Sequence, residues 1–197
     1  AEAYADTWTS VVDGLLAPSL YVARHSTSVT SGKRVELVYP ACEEQTTFTP
    51  LPWPRRSGGK YQVGFFGRVS FDLNPGLFIR TVAHLYSTFP HNYLNDNFEF
   101  VVVGTGPMLA YIQELTHALQ MSDHIHFYGY RSDFHELLCK ADLVVNPKCR
   151  GETFGITHTE AMVCGTPLIA FNRSGSQESI HPLASHLLDT VSVEALA

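Results

Sequence analysis

The sequence predicts an α/β fold built on a doubly wound parallel sheet, and three observations point to it. From Tyr61 onward, short β-branched or aromatic runs alternate with amphipathic stretches of helical length, the pattern of repeated strand-helix-strand units. The first two runs end on glycine-containing turns, Phe66-Gly67-Arg68-Val69 and Gly104-Thr105-Gly106-Pro107, where such sheets keep their ligand sites. With 197 residues, 45% of them hydrophobic and 16% charged, the chain has material for a sizeable core, which excludes disorder, collagen and coiled coil.

Each element follows from its local pattern. Strands are expected at Gln62 to Phe66, Phe98 to Val103, His124 to Tyr128, Leu143 to Asn146, Pro167 to Phe171 and His186 to Asp189. Helices are expected at Pro75 to Ser87, Gly106 to Gln120, Asp133 to Lys140 and Ile156 to Val163. In the first of these, Leu77, Phe78, Val82, Leu85 and Tyr86 recur at helical spacing, and Pro75 sits at a first-turn position where its missing N–H does no harm. Upstream, a helix over Ala3 to Val12, a strand at Leu15 to Ala17, a helix from Ser19 to about Arg24 and a strand at Val35 to Tyr39 are expected. The stretch from Pro40 to Lys60, with Pro50, Pro52, Pro54, Gly58 and Gly59 and no period, reads as a linker and a domain boundary.

A net charge of −6, with no Lys/Arg cluster larger than Arg55-Arg56, argues against nucleic acid or anionic membranes as partners. No apolar run approaches the roughly 18 residues of a membrane span, and no leader pattern opens the chain. Cys42, Cys139, Cys149 and Cys164 are scattered without any CxxC spacing, so they are expected as thiols in a cytosolic or cytosol-facing protein. His124 and His126 would share a strand face, but no third ligand lies near them in sequence, and no metal is expected. No G-x-S-x-G elbow is present for a serine hydrolase. His158, on the fourth helix, reads as a packing or surface residue.

The chemistry is expected beyond the carboxyl ends of the strands. Gly67 lets the backbone approach a ligand, and Arg68 offers a forked cation suited to phosphate, or is simply a surface arginine. Gly104 and Gly106 precede a helix start, which favours anions, but they lack the third glycine of a dinucleotide fingerprint. In the string from Asn146 to Pro167 a strand runs into a glycine-containing loop and a helix beginning near Gly155, whose amides face the strand-end crevice. Glu152 in the loop and Glu160 on the helix are either sugar-facing acceptors or solvated carboxylates.

Those carboxylates stand as E-x7-E within GETFG…TEAMVCGTP, and this segment strongly resembles the nucleotide-sugar-binding half of GT-B glycosyltransferases, especially retaining family 4. GFFGRV, FVVVGTGP, HIHFYGY, HELLCKADLVVNP and SGSQESI follow in the family's order, while GLLAPSLYVAR and VELVYPACEEQTTFTP resemble the end of its first domain and the connection. The resemblance implies a Rossmann-like C-terminal half of a GT-B fold, with residues 1–39 the tail of an acceptor-side domain, 40–60 the linker and 61–197 the donor domain. It implies that Gly67 and Arg68 meet the donor pyrophosphate and that Gly104 and Gly106 belong to the donor site. Tyr130 and Arg131 would border the base, Glu152 would face the transferred sugar and Glu160 the ribose, and the amides of Phe154, Gly155 and Ile156 would neutralise phosphate. Arg68 and Glu152 would be catalytic. It implies transfer of a hexosyl group from a UDP or GDP sugar, with retention and no cofactor, to a glycan, lipid or protein held by a domain outside this chain. The chain alone would bind donor and transfer little, and the family would continue past Ala197 into closing helices. Gly175 and Glu178 would either approach the donor sugar or form a surface turn.

One departure stands out. The family usually carries a lysine a few residues after the arginine, and here that position is Leu73. Three accounts fit: Lys148 or Arg150 compensates, the domain is a weak or non-catalytic copy, or the register shifts locally. Two rival classes follow, a non-catalytic nucleotide-sugar or scaffolding module, and another GT-B enzyme such as an epimerase or phosphorylase.

Overall fold

Residues 12–26, 32–41, 59–180 and 185–197 are described by the computed structural model. Strands β1 (Gly14–Ala17) and β2 (Arg34–Leu37) pair in parallel and flank helix α1 (Leu20–Ser26). The remainder is β3 (Tyr61–Phe66), α2 (Pro75–Thr88), α3 (His91–Asn97), β4 (Phe98–Val103), α4 (Leu109–Ala118), β5 (Ile125–Gly129), α5 (Phe134–Lys140), β6 (Leu143–Asn146), α6 (Ile156–Val163), β7 (Leu168–Phe171), α7 (Ser176–Ser179), β8 (Ser185–Leu188) and α8 (Val193–Leu196). The six strands from β3 form one parallel sheet in the order β5-β4-β3-β6-β7-β8, the expected doubly wound arrangement.

All six expected strands from Gln62 onward are present within a residue or two, as are three of the four helices. The second of these helix starts, Gly106, moves to Leu109, because residues 104–107 are consumed in a turn that packs against the β3 loop. Helix α3 was not foreseen: its sequence HNYLNDN buries only Leu94 and carries no apolar period. The helix expected over Ala3 to Val12 and the linker between Pro40 and Lys60 lie almost wholly outside the described residues.

Two apolar layers cover the sheet. On one face Phe65, Phe78, Ile79, Val82, Tyr86, Phe100, Val102 and Ile112 join α2 and α4 to the strands. On the other, Phe66, Val101, Val103, Leu138, Val144, Ala161 and Leu168 join α5 and α6. Val101, Val102 and Val103 are all fully buried, which explains why β4 reads as a continuous apolar run rather than an alternating one.

The register of the two central strands is fixed at their amino ends by a buried carboxylate. Asp142 Oδ2 accepts from Gln62 N at 2.8 Å, Asp142 N donates to Gln62 O at 2.9 Å, and Gln62 Nε2 donates to Glu99 Oε2 at 3.0 Å. Because the Asp142 side chain is buried, its removal orphans the Gln62 amide where water does not replace it. Asp142→Ala is expected to lower unfolding free energy by about 1–3 kcal/mol, read as an earlier urea midpoint at unchanged m-value.

Candidate active site

The carboxyl ends of β3 and β4 lead into two loops that touch backbone to backbone. Gly67 N donates to Val103 O at 3.0 Å, Val69 N to Thr105 O at 2.9 Å and Met108 N to Val69 O at 3.0 Å. A Cβ on Gly104, whose φ is +135°, would stand 1.9 Å from Gly67 O, and one on Gly106 would stand 2.3 Å from Val69 O. These two glycines therefore have a packing reason to be glycines, and neither lines the cavity beside them.

That cavity, of about 340 Å³, opens between the end of β3, the loop after β6 and the first turn of α6. Its wall brings together the expected Arg68, Glu152, Phe154, Gly155 and Ile156, and adds Asp72, Leu73, Asn146, Lys148 and Thr157. Pro18 and Pro40 close it from the upstream segment. The N–H groups of a helix's first turn lack intrahelical acceptors, so α6 presents donors and a partial positive charge to this space.

Four charges meet in the wall. Arg68, two-thirds exposed, places Nη2 3.3 Å from Asp72 Oδ2. Lys148 Nζ lies 3.8 Å from the same oxygen and 3.6 Å from Glu152 Oε1. The Ser70 hydroxyl, 2.6 Å from Asp72 Oδ1, and then the neighbouring cations hold the Asp72 carboxyl below the usual carboxylate range. Glu152 is buried, in contrast to a solvated surface carboxylate.

The loop that carries Lys148 and Glu152 is located by a buried imidazole. Asn146 Oδ1 accepts from Lys148 N at 3.1 Å, which turns Asn146 Nδ2 toward His158 Nε2 at 2.7 Å. The Nε2 atom then accepts, so the proton belongs on Nδ1, which donates to Ser179 Oγ at 2.8 Å. Burial, followed by the nearby charge of Lys148, pushes the His158 pKa down to about 4. Gly155, with φ +91°, has no room for a side chain: a Cβ there would stand 2.2 Å from His158 Nδ1.

The remaining expected residues lie outside the cavity wall. Glu160 Oε1 stands 3.1 Å from His135 Nε2 on α5, and both side chains are largely covered. Tyr130 is exposed at 78%, and Arg131 donates twice to Asp133, at 2.8 and 2.7 Å. Gly175 packs beneath the Glu152 loop, where a Cβ would meet Thr153 O at 2.1 Å. Glu178 turns away from the cavity and accepts from Leu20 N at 2.6 Å and Tyr21 N at 2.7 Å. Two cysteines correct an expectation: Cys139 and Cys164 are joined by a disulfide between the ends of α5 and α6, while Cys149 is a free thiol. Bonded cysteines are rare in reducing compartments, so the thiol argument for a cytosolic setting loses this pair. Among the described residues no three His, Cys, Asp or Glu side chains are grouped to hold a metal ion.

A family model described as Glycosyl transferases group 1 matches residues 53–197, most of the chain. The chain belongs to the group 1 glycosyl transferases. Among curated members, it is 32% identical over 136 residues to the D-inositol 3-phosphate glycosyltransferase of Salinispora tropica, covering 65% of this chain and 27% of that protein. An uncharacterized glycosyltransferase of Methanocaldococcus jannaschii is 25% identical over 158 residues, 75% of this chain and 38% of the relative. Among solved structures, Anabaena HepE in complex with UDP and glucose superposes with a TM-score of 0.78 at 19% identity, over 99% of this chain and 54% of HepE, a likeness of fold. The group 1 glycosyl transferase described here thus spans about a third of the length of the curated relatives it matches.

The buried imidazole makes stability depend on pH in a defined window. The unfolded chain takes up a proton on His158 near pH 6.5, whereas the folded chain resists it until about pH 4, so stability falls as pH drops between these values. His158 alone is expected to remove about 2 kcal/mol between pH 7 and pH 5. Urea unfolding of the wild type and His158→Gln at both pH values checks this. The variant is less stable at pH 7 but lacks this part of the acid loss.

Proposed function

We propose that this chain carries the donor site of a retaining glycosyltransferase that transfers a hexosyl group from a nucleoside diphosphate sugar, UDP or GDP, to an acceptor hydroxyl. The observation that carries the reading is the junction, in one cavity wall, of Arg68, the first turn of α6 and the buried Glu152. As the bond between the anomeric carbon and the diphosphate oxygen breaks, negative charge grows on the phosphates and positive character on the sugar. In this reading Arg68 and the Phe154, Gly155 and Ile156 amides oppose the first and Glu152 faces the sugar, and their shared position in one cavity wall supports it. In this reading Glu160, supported by His135, receives the ribose hydroxyls, and Tyr130 and Arg131 border the base through their backbone.

HepE, which shares the fold, was solved with UDP and glucose, and this supports a nucleotide sugar as the donor here. No helix among the described residues is long and apolar enough to cross a membrane. We assign the acceptor, a glycan, lipid or protein, to a domain of which residues 1–39 are the tail, joined to the donor unit by 40–60. The pairing of β1 and β2 only with each other among the described residues, and the 71% exposure of Leu16, support this reading, since such a sheet lacks a core of its own.

The test is a thermal-shift series with UDP, GDP and ADP sugars on the wild type, Arg68→Ala and Glu160→Ala. A UDP or GDP sugar is expected to raise Tm, and each substitution to weaken binding by about tenfold or more. Equal shifts in all three proteins would overturn the site assignment.

A further inference from the structure

Position 73, where the family resemblance leads to a lysine, is occupied by Leu73, whose Cδ1 reaches toward Gly67, 3.5 Å from where a Cβ there would stand. The cavity nevertheless holds a second cation beside the Arg68 guanidinium, an ammonium carried on another loop. Lys148 sits on the loop after β6, and only 12% of its side chain is exposed. Buried lysines are rare unless their charge is matched, and this one is matched by two carboxylates, Glu152 at 3.6 Å and Asp72 at 3.8 Å. Both separations exceed hydrogen-bond length, so neither carboxylate uses an ammonium N–H as a direct donor.

The loop is tied to the turn it faces. Asn74 Nδ2 donates to Pro147 O at 3.4 Å, and the Lys148 amide is held by Asn146 Oδ1. The backbone on either side of the gap is thus anchored, and Arg68 and Lys148 approach the same Asp72 oxygen from two loops. Arg150, the other cation of the loop, is exposed and does not line the cavity.

We propose that Lys148 is the second phosphate-binding cation of this site, working with Arg68 in place of a cation at position 73. The assignment rests on the reading of the cavity as a nucleoside diphosphate sugar site. On entry of the diphosphate, the Lys148 ammonium turns its N–H groups from the loosely held carboxylates to phosphate oxygens. Glu152 keeps the ammonium as its counter-ion while facing the sugar. The cation and the sugar-facing carboxylate thus travel on one loop, four residues apart, instead of arriving from two different loops.

The test measures binding of UDP and GDP by calorimetry, and of uridine and guanosine by ligand-observed NMR. The proteins are the wild type, Lys148→Met, Lys148→Arg, Leu73→Lys and the double variant Leu73→Lys/Lys148→Met, each first checked for an unchanged circular dichroism spectrum. Lys148→Met is expected to weaken diphosphate binding about ten- to a hundredfold while leaving nucleoside binding unchanged. Lys148→Arg is expected to retain most of the affinity, and the double variant to recover much of it, which a loss of loop structure would not allow. Diphosphate binding equal in wild type and Lys148→Met overturns the role of Lys148 and leaves the donor reading standing. Parallel losses for diphosphate and nucleoside, without recovery in the double variant, also overturn it. A folded wild type that binds neither UDP nor GDP overturns the donor reading, and this proposal with it.

Discussion

The neutral imidazole of His158 joins the three pieces of chain that meet behind the cavity, and the placement of the others follows from it. One ring nitrogen accepts from the amide at the end of β6, and the other donates to the hydroxyl on α7. The ring's own helix begins after Gly155, where the backbone is left-handed and the ring occupies the space a side chain would need. The same Asn146 amide accepts from the Lys148 backbone N–H, while α7 rests under the loop bearing Glu152 through the amide of Gly175, 2.8 Å from Glu152 O. A charged ring would offer two donors to a site that supplies one donor and one acceptor, which is why burial and neutrality go together here.

A second constraint acts on the other side of the cavity, where the loops after β3 and β4 lie so close that side chains at 104 and 106 would intersect backbone atoms. The contact holds the Gly67-Arg68 turn by its main chain, so the guanidinium is aimed from a fixed base although the side chain itself is largely exposed. The site thus combines a flexible cation on a rigid turn with a covered cation on a tethered loop. The carboxylate of Asp72 lies between them and keeps the two positive groups near each other without a ligand.

Much of this was legible in the sequence where a residue's role is local. The runs that became β4 and β6 were bounded to the residue, because a strand buried on both faces shows as an uninterrupted apolar run ended by glycine or asparagine. The α6 start was legible from its glycine and the polar loop before it. Helix α3 was not, because a helix held by a single buried leucine has no period to read. Asp72 gave no signal, since its place depends on a 3-10 turn over Phe71–Leu73 that no pattern announced. Glu178 and the Cys139–Cys164 pair depend on distant partners, 157 and 158 residues away for the first and 25 for the second, and spacing says nothing about such contacts.

The engagement of Glu178 with the start of α1 has a consequence for where the chain can be cut. Pro18 and Pro40 form part of the cavity wall, and the ring of Tyr39 lies 5.4 Å from that of Phe154, so the upstream segment completes the enclosure that the sheet begins. A protein trimmed to begin at Tyr61 would retain all six strands of the large sheet, with the polar side of the cleft intact and its apolar shoulder removed. Such a fragment would present Phe154 to water and leave the Glu178 carboxylate without the amides it now serves. The boundary of the sheet and the boundary of the binding unit are therefore different places in this chain.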